Sequence, residues 1–479
     1  MKRFALFHSK LAVRRRNLIN TPSTGLYSLH QNLVAMSSTT PVSTSREPSL
    51  RDENWRFEST GAPCEWAEEY RPGGFHPVNL GDVFQGRYRV IRKLGDGSFS
   101  TVWLAKDTQT SKYVALKVMI AKSSSSNLEL EILEHLANAA KEDERSRHVM
   151  VLLNTFIHEG PNGRHRCLVF QPMGPTASSM RDTLPVDSNK DCQSTGEEVD
   201  ESSEVQRYPL WMTKRLIHDA LTGLSFLHDN NVTHGDVQPG NILFPIQELD
   251  SLPEDELRQD EGQHHSTFEL KRLDGLEDHW APKKLFVKQN LTKYAQLGRD
   301  LSVKLSDLGS AFWSDQPPKE TVTPIGLRAP ELILGHHPIT TGIDVWAIGC
   351  LIYEFLTGEA LFVVASWGQD QSDLEETDDD HISQLHDILG PLPEDLKAAW
   401  PRLDRWYGPN DEPLNPFGES GDEPSIFPPL EAAFMERKGS DVSEEQADEV
   451  CKLIRSILKH NPSERPTAME VLKHPWFKK

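Results

Sequence analysis

Tyr88 to Asp107 reads YRVIRKLGDGSFSTVWLAKD, and Lys112 to Met119 reads KYVALKVM. Apolar residues alternate on either side of a glycine turn, which predicts a strand, a tight loop and two more strands. Gly95 and Gly97 let the backbone pass close over phosphates, where peptide N–H groups meet anionic oxygens. Many β-hairpins carry such a turn. Val114-Ala115-Leu116-Lys117, one strand later, sharpens the reading, because that pattern sets a lysine against the α- and β-phosphates of a nucleotide. Ser100 stands where the loop pattern has its third glycine.

Working outward, the lysine needs a carboxylate to hold it. NLELEILEHL, from residue 127, predicts a short helix with Glu129, Leu133 and Leu136 on one face. Glu129 is the partner expected for Lys117, with Glu131 as the alternative. An amphipathic helix (LIHDALTGLSFLHDNN) then leads into Thr233-His234-Gly235-Asp236-Val237-Gln238-Pro239-Gly240-Asn241. The His-x-Asp-x-x-x-x-Asn spacing suits phosphoryl transfer: Asp236 accepts the proton of a substrate hydroxyl and Asn241 holds a metal ion. Leu305-Ser306-Asp307-Leu308-Gly309 supplies a second metal ligand, the carboxylate of Asp307, suited to Mg²⁺ bridging phosphates. Ala329-Pro330-Glu331 closes the segment. Each triplet occurs by chance, but their order does not.

These motifs resemble those of the eukaryotic protein kinases over roughly residues 88–477. The resemblance implies an α+β bilobal fold, with a small β-rich lobe at 88–172 and a large, mainly helical lobe at 173–479. It implies ATP and Mg²⁺ as cofactors. Leu94, Gly95, Asp96, Gly97, Ser98, Val102, Ala115, Lys117 and Glu129 would surround the nucleotide, with Phe170 as gatekeeper and Gln171 and Met173 at the hinge. Asp236, Lys117, Asn241 and Gln238 would be the catalytic set, with Asn241 and Asp307 on the metal. Asp344-Val345-Trp346-Ala347-Ile348-Gly349-Cys350 looks like the buried helix that anchors the catalytic loop, and Arg465 like the arginine that pairs with Glu331. Glu68-Glu69-Tyr70, GGFHPVNLGDVFQGRY before the glycine turn, FSTVWLA within it, the long insert before Asp307, and Asp378-Asp379-Asp380-His381-Ile382 are together similar to the SR-protein kinases. That family phosphorylates serines in Arg/Ser-rich segments, which makes basic protein segments the expected partner and a monomer the expected state.

Composition agrees. Of 479 residues 37% are hydrophobic and 26% charged, which suits two or three globular lobes. Asp plus Glu is 72 against 51 Lys plus Arg, a net charge of −21, which favours basic partners and argues against broad nucleic-acid binding. Five scattered cysteines without ligand spacing indicate neither a disulfide framework nor a structural zinc site. The greasiest stretch, Val345 to Leu356, is too short for a membrane span. Residues 1–50, basic and free of acidic residues before Glu47, read as a disordered tail, an extension upstream of a start at Met36, or a mitochondrial presequence. Cytoplasm and nucleus are otherwise the expected location. Residues 51–87 are expected to pack on the kinase lobes. Inserts are expected near 178–206, as a mobile acidic loop, and near 249–300, partly ordered. Asp373 to Asp380 reads either as a solvated acidic loop or as a docking surface.

Three departures from the kinase pattern matter. Gln238 replaces a lysine that contacts the transferring phosphate. Gly235 replaces an arginine, so activity is not expected to require a phosphorylated activation loop. The threonine before Ala329-Pro330-Glu331 is displaced to Thr323. They leave two rivals, a pseudokinase scaffold and a small-molecule phosphotransferase of the aminoglycoside type. The latter ranks lower because Ala329-Pro330-Glu331, the 344–350 helix and Arg465 belong to protein kinases.

Overall fold

The structure, a computed structural model, describes residues 55–478 except 126–127, 185–204, 299, 366–367, 369, 417–423 and 425. The basic tail at 1–50, most of the acidic insert at 178–206 and Cys192 lie outside the described residues. The described chain forms two compact units, one of residues 55–180 and 239–312, the other of 181–238 and 313–478.

In the first unit, β1 (Val83–Phe84), β2 (Tyr88–Gly97), β3 (Ser100–Asp107), β4 (Tyr113–Met119), β5 (Asn154–Gly160) and β6 (Gly163–Phe170) build one antiparallel sheet in the order β1-β2-β3-β4-β6-β5. Strand alternation sends Val90, Trp103, Leu116 and Val118 to one core, where Val78 and Phe84 of the extension and Phe286 join them. Ile91, Leu104 and Tyr113 belong to a second core, closed by Leu249, Leu257, Leu291 and Tyr294. Burying each such side chain contributes about 1.5–3 kcal/mol, enough to draw the 249–300 insert onto the sheet. The expected division at 172/173, which put this insert in the helical lobe, is displaced accordingly. Polar ties fix the register: Arg89 forks onto Glu254 at 2.7 Å through both guanidinium nitrogens, and the Tyr113 N–H donates to Asp250 at 2.8 Å. Helix α1 (Leu128–Ala139) buries Ile132, Leu133 and Leu136, the face read from its periodicity.

The extension enters this unit deeply. Lys93, fully buried on β2, pairs with Glu65, which also accepts a 2.5 Å hydrogen bond from the Tyr70 hydroxyl. Burial alone would lower the Lys93 pKa, but Glu65 and Asp96 more than reverse it. His76 packs its ring 4.5 Å from that of His158 and 5.0 Å from that of His165.

The second unit is helical: α2 (Leu210–Asp229), α3 (Pro330–Leu334), α4 (Gly342–Thr357), α5 (Gln371–Leu389), α6 (Glu394–Ala399) and α7 (Glu444–Ile457) carry most of it. Helix α4 is buried on nearly every side, which accounts for its continuous apolar sequence. Among the described residues no helix is long and apolar enough to cross a membrane. Glu331 and Arg465, both with fully buried side chains, form a two-pronged pair at 2.6 and 2.7 Å. Asp373 to Asp380 is no loop: Asp370 caps α5 by accepting the Asp373 N–H at 2.9 Å, and the acidic run lies in the helix.

Burial, aided by His158 and His165, pushes His76 down to about 3. The unfolded chain takes up a proton here below its ordinary pKa while the folded chain does not, so stability falls as pH drops from that value towards 3. By about pH 4.5 the loss is on the order of 2 kcal/mol. His76→Phe should therefore unfold in urea with a smaller loss of midpoint between about pH 7 and 4.5 than the parent. An identical loss in both would assign the acid sensitivity elsewhere.

Candidate active site

The sheet-bearing unit assembles the lysine and its carboxylates. Pairing of β3 with β4 sets Val102 opposite Lys117, and pairing of β4 with β6 sets Ala115 opposite Phe170. Lys117 Nζ lies 3.0 Å from Glu129 Oε1 and 2.9 Å from Asp307 Oδ1. Glu131, two residues along α1, is exposed. Burial would lower the Lys117 pKa, yet Asp307 and Glu129 together hold it well above the ordinary lysine range, so the group is a fixed cation.

Asp307 adopts a left-handed backbone with φ of 61°, which a short carboxylate side chain tolerates better than most. A Cβ on Gly309 would sit 3.2 Å from Asp307 Oδ1, tighter than ordinary contact, so glycine gives the carboxylate room. The strand pair β7 (Ile242–Leu243) and β8 (Lys304–Leu305) then sets Asn241 beside this segment, with the Ser306 N–H donating to the Asn241 carbonyl at 2.9 Å. Gly97 and Ser98 are exposed at the β2–β3 turn, whereas Asp96 aims its carboxylate at Lys93, 3.5 Å away. Leu94 packs against the Ile91 core. At the far end of β6, Phe170 is half-buried, Gln171 exposed and Met173 buried.

The helical unit assembles the catalytic-loop residues. The buried Asp344 carboxylate on α4 accepts the His234 N–H at 2.8 Å, the Gly235 N–H at 2.9 Å and His228 Nε2 at 2.9 Å. Gly235 takes φ of 75°, a conformation a side chain would strain. Its carbonyl accepts the buried Thr323 hydroxyl at 2.7 Å, and the Thr323 carbonyl accepts Arg328 Nε at 3.0 Å. The displaced threonine is therefore tied to the backbone beside Asp236. Gln238 Nε2 donates to Asp236 Oδ1 at 2.8 Å, orienting the carboxylate with a neutral donor. An oriented carboxylate beside a loop held this firmly is suited to accepting a hydroxyl proton.

The acidic run on α5 is largely engaged within its own unit. Asp379 accepts Trp400 Nε1 at 2.7 Å and Arg402 Nε at 2.6 Å. Burial pushes Asp378 and Asp380 up to about 6. Sequence reading also passed over the Glu65–Lys93 pair. The signal was a lysine inside an apolar strand, immediately before the glycine turn, where a buried partner is needed.

Comparison with known proteins adds the following. The family model described as "Protein kinase domain" matches residues 88–251 and 286–477, interrupted within the insert that covers the sheet. The chain is similar to the serine/threonine-protein kinase SRPK of Physarum polycephalum, 28% identical over 422 residues that span 86% of this chain and 91% of that one. It is similar also to protein kinase dsk1 of Schizosaccharomyces pombe, 26% identical and covering 86% of this chain and 85% of that one. Serine/threonine-protein kinase AFC2 of Arabidopsis thaliana is 25% identical, with 88% and 87% covered.

The Gln238–Asp236 hydrogen bond generates a direct test. Removing one preorganised donor costs roughly 100- to 1,000-fold in rate, so Gln238→Ala should lower kcat for phosphoryl transfer by about 100-fold. Gln238→Lys, which keeps a donor and adds charge, should be at least as active as the parent. Steady-state kinetics of the three proteins decide, and an unaffected Gln238→Ala would remove Gln238 from the mechanism.

Proposed function

This chain belongs to the protein kinase family and is a serine/threonine kinase, and we propose that it transfers the γ-phosphate of ATP to serines in basic, Arg/Ser-rich protein segments. The observation that carries the catalytic reading is Lys117 held between Glu129 and Asp307. A scaffold has no physical need for a buried lysine bridging two carboxylates, since such a cluster stabilises a fold less than apolar packing would.

The residues fit the cofactors by charge and donor type. Lys117 offers a fixed cation to phosphate oxygens. The Asp307 side chain, 54% exposed, and Asn241 offer hard oxygen donors suited to Mg²⁺. Bound Mg·ATP supplies the phosphoryl group and the counter-charge for its oxygens. The chain supplies the rest. Gly97 and Ser98, both exposed, can offer peptide N–H groups to phosphate oxygens, Lys117 positions them, and Asp236, steered by Gln238, takes the proton of the attacking hydroxyl. Gly235 leaves no arginine beside Asp236 to receive a phosphorylated residue, so the loop is held by Asp344 and Thr323 rather than by a modification.

The substrate class rests on charge and relatives. A body with net charge −21 attracts cationic segments over a Debye length of about 8–10 Å. Among the similar proteins is a serine/threonine-protein kinase named SRPK, over 86% of this chain.

Radiolabelled transfer from Mg·ATP to an Arg/Ser-repeat peptide, an acidic peptide and kanamycin tests the proposal. Only the Arg/Ser peptide should be labelled. Its kcat/KM should fall steeply with added salt while kcat changes little. Asp236→Asn should abolish labelling with ATP affinity within a few-fold of the parent. ATP binding without transfer to any acceptor would instead identify a pseudokinase, and labelling of kanamycin alone a small-molecule phosphotransferase.

A further inference from the structure

Away from the kinase residues, the helical unit brings together two imidazoles and a carboxylate. Helix α3 ends at Leu334, Gly335 turns the chain with φ of 63°, and His336 and His337 follow directly. Asp395 comes from the first turn of α6. His337 Nε2 lies 3.2 Å from Asp395 Oδ2, and His336 Nε2 lies 3.8 Å from the same oxygen. One ligand atom from each residue falls within 4.8 Å of the other two, the one such group of His, Cys, Asp or Glu found among the described residues.

We infer that His336, His337 and Asp395 form a transition-metal site, selective for Zn²⁺ or a similar divalent ion, that ties the segment after α3 to α6.

Three observations support this. The first is spacing. Bonds of about 2.0–2.2 Å to nitrogen and oxygen place neighbouring ligand atoms of a tetrahedral ion roughly 3.3 Å apart. The His337–Asp395 separation already meets this, the His336–Asp395 separation of 3.8 Å needs about half an ångström, and the set as a whole, spread within 4.8 Å, closes by a shift of the His336 ring. His336 can supply that movement, because its side chain is 40% exposed. The second is an unsatisfied atom. His337 Nε2 is buried and, despite its closeness to Asp395, makes no hydrogen bond. A buried ring nitrogen left in that state is unfavourable, and a metal bond satisfies it. The third is space. His337 and Asp395 line a cavity of about 330 Å³ whose wall also holds His460, and His460 Nδ1 is likewise buried without a hydrogen bond. With two of the three protein ligands on its wall, the cavity leaves a position for solvent or a fourth donor.

Charge around the cavity does not oppose the site. Arg455 lines it, but its guanidinium is engaged by Glu431 at 2.7 Å and by the Leu389 carbonyl at 2.8 Å. Lys459 and Glu464, of opposite charge, both line the same wall. Two imidazoles with one carboxylate suit borderline ions such as Zn²⁺ and Co²⁺ over Mg²⁺ or Ca²⁺, which prefer all-oxygen sites. The site is therefore chemically distinct from Asn241 and Asp307.

The test uses the untagged full-length chain, stripped with chelator and dialysed against Zn²⁺ with excess Mg²⁺. Metal analysis should find one more equivalent of Zn²⁺ in the parent than in His337→Gln or Asp395→Asn. The parent loaded with Co²⁺ should show visible ligand-field absorption that both variants lack. His336→Gln, altered only at a half-exposed position, should weaken binding at least tenfold, which guards against misreading a folding defect in the other two. All three variants should match the parent in metal-free thermal melting. Equal Zn²⁺ content in parent and variants, or none retained at micromolar concentration, would overturn the site and leave His337–Asp395 a plain contact.

Discussion

Asp344 is nearly wholly buried, and its carboxylate accepts three N–H groups, from His234, Gly235 and His228. A carboxylate withdrawn from water without such donors costs several kcal/mol, so the helix that carries it and the loop that feeds it fold as one decision. Two consecutive peptide N–H groups can reach one carboxylate only if the chain turns sharply, and the turn falls at Gly235 with φ of 75°. Glycine at this position is thus the residue that meets the constraint with least strain. The turned carbonyl of Gly235 then receives Thr323, and the Thr323 carbonyl receives Arg328. One buried charge orders the catalytic loop and, through it, the segment leading into α3, which Glu331 and Arg465 lock from beneath.

The sheet-bearing unit solves a different problem. An antiparallel sheet of Val- and Leu-rich strands has two apolar faces, and both need cover. The extension and the 249–300 insert supply cover, Val78, Phe84 and Phe286 in one core and Leu249, Leu257, Leu291 and Tyr294 in the other. The insert's ion pair with the sheet, Arg89–Glu254, is a half-buried tie that fixes register more than it adds stability. The Glu65–Lys93 pair has a sharper consequence. It anchors β2 one residue before Leu94, at the root of the glycine turn. The root of this turn is thus held from outside the sheet.

How much of this was legible follows from how local each signal is. The glycine turn, the Val-Ala-Leu-Lys strand and the Asp-Leu-Gly and Ala-Pro-Glu triplets are contiguous in sequence, and their chemistry reads directly. The choice of Glu129 over Glu131 was also readable, since helical periodicity puts Glu129 on the face of Leu133 and Leu136. The placement of the insert was not. Leu249, Leu257, Leu291 and Tyr294 sit too far apart in sequence to declare a common face, and only the sheet brings them together. The helical state of the acidic run at 373–380 was hidden for a related reason: its composition suits a solvated loop, but Trp400 and Arg402, distant in sequence, absorb Asp379. His336 and His337 meet Asp395 across nearly sixty residues, a pairing no ligand spacing advertises.

Gln238 shows where composition and geometry part company. A lysine beside the catalytic carboxylate does two jobs: it holds that carboxylate by a hydrogen bond, and it places positive charge near the transferring phosphate. The amide of Gln238 keeps the first, at 2.8 Å from Asp236, and gives up the second. Orientation needs only a donor at a fixed place, and a glutamine with 7% exposure is held at least as firmly as a lysine, whose longer stem has more rotamers to restrain. Charge compensation is less local, because Coulomb interactions in a partly buried site act over several ångströms. In the proposed mechanism Lys117 and the metal held by Asn241 and Asp307 gather positive charge around phosphate, so the charge missing at 238 subtracts from a sum, whereas a missing hydrogen bond to Asp236 would leave the proton acceptor without direction. On this reasoning the substitution moves the chain along a scale of rate and leaves the mechanism in place.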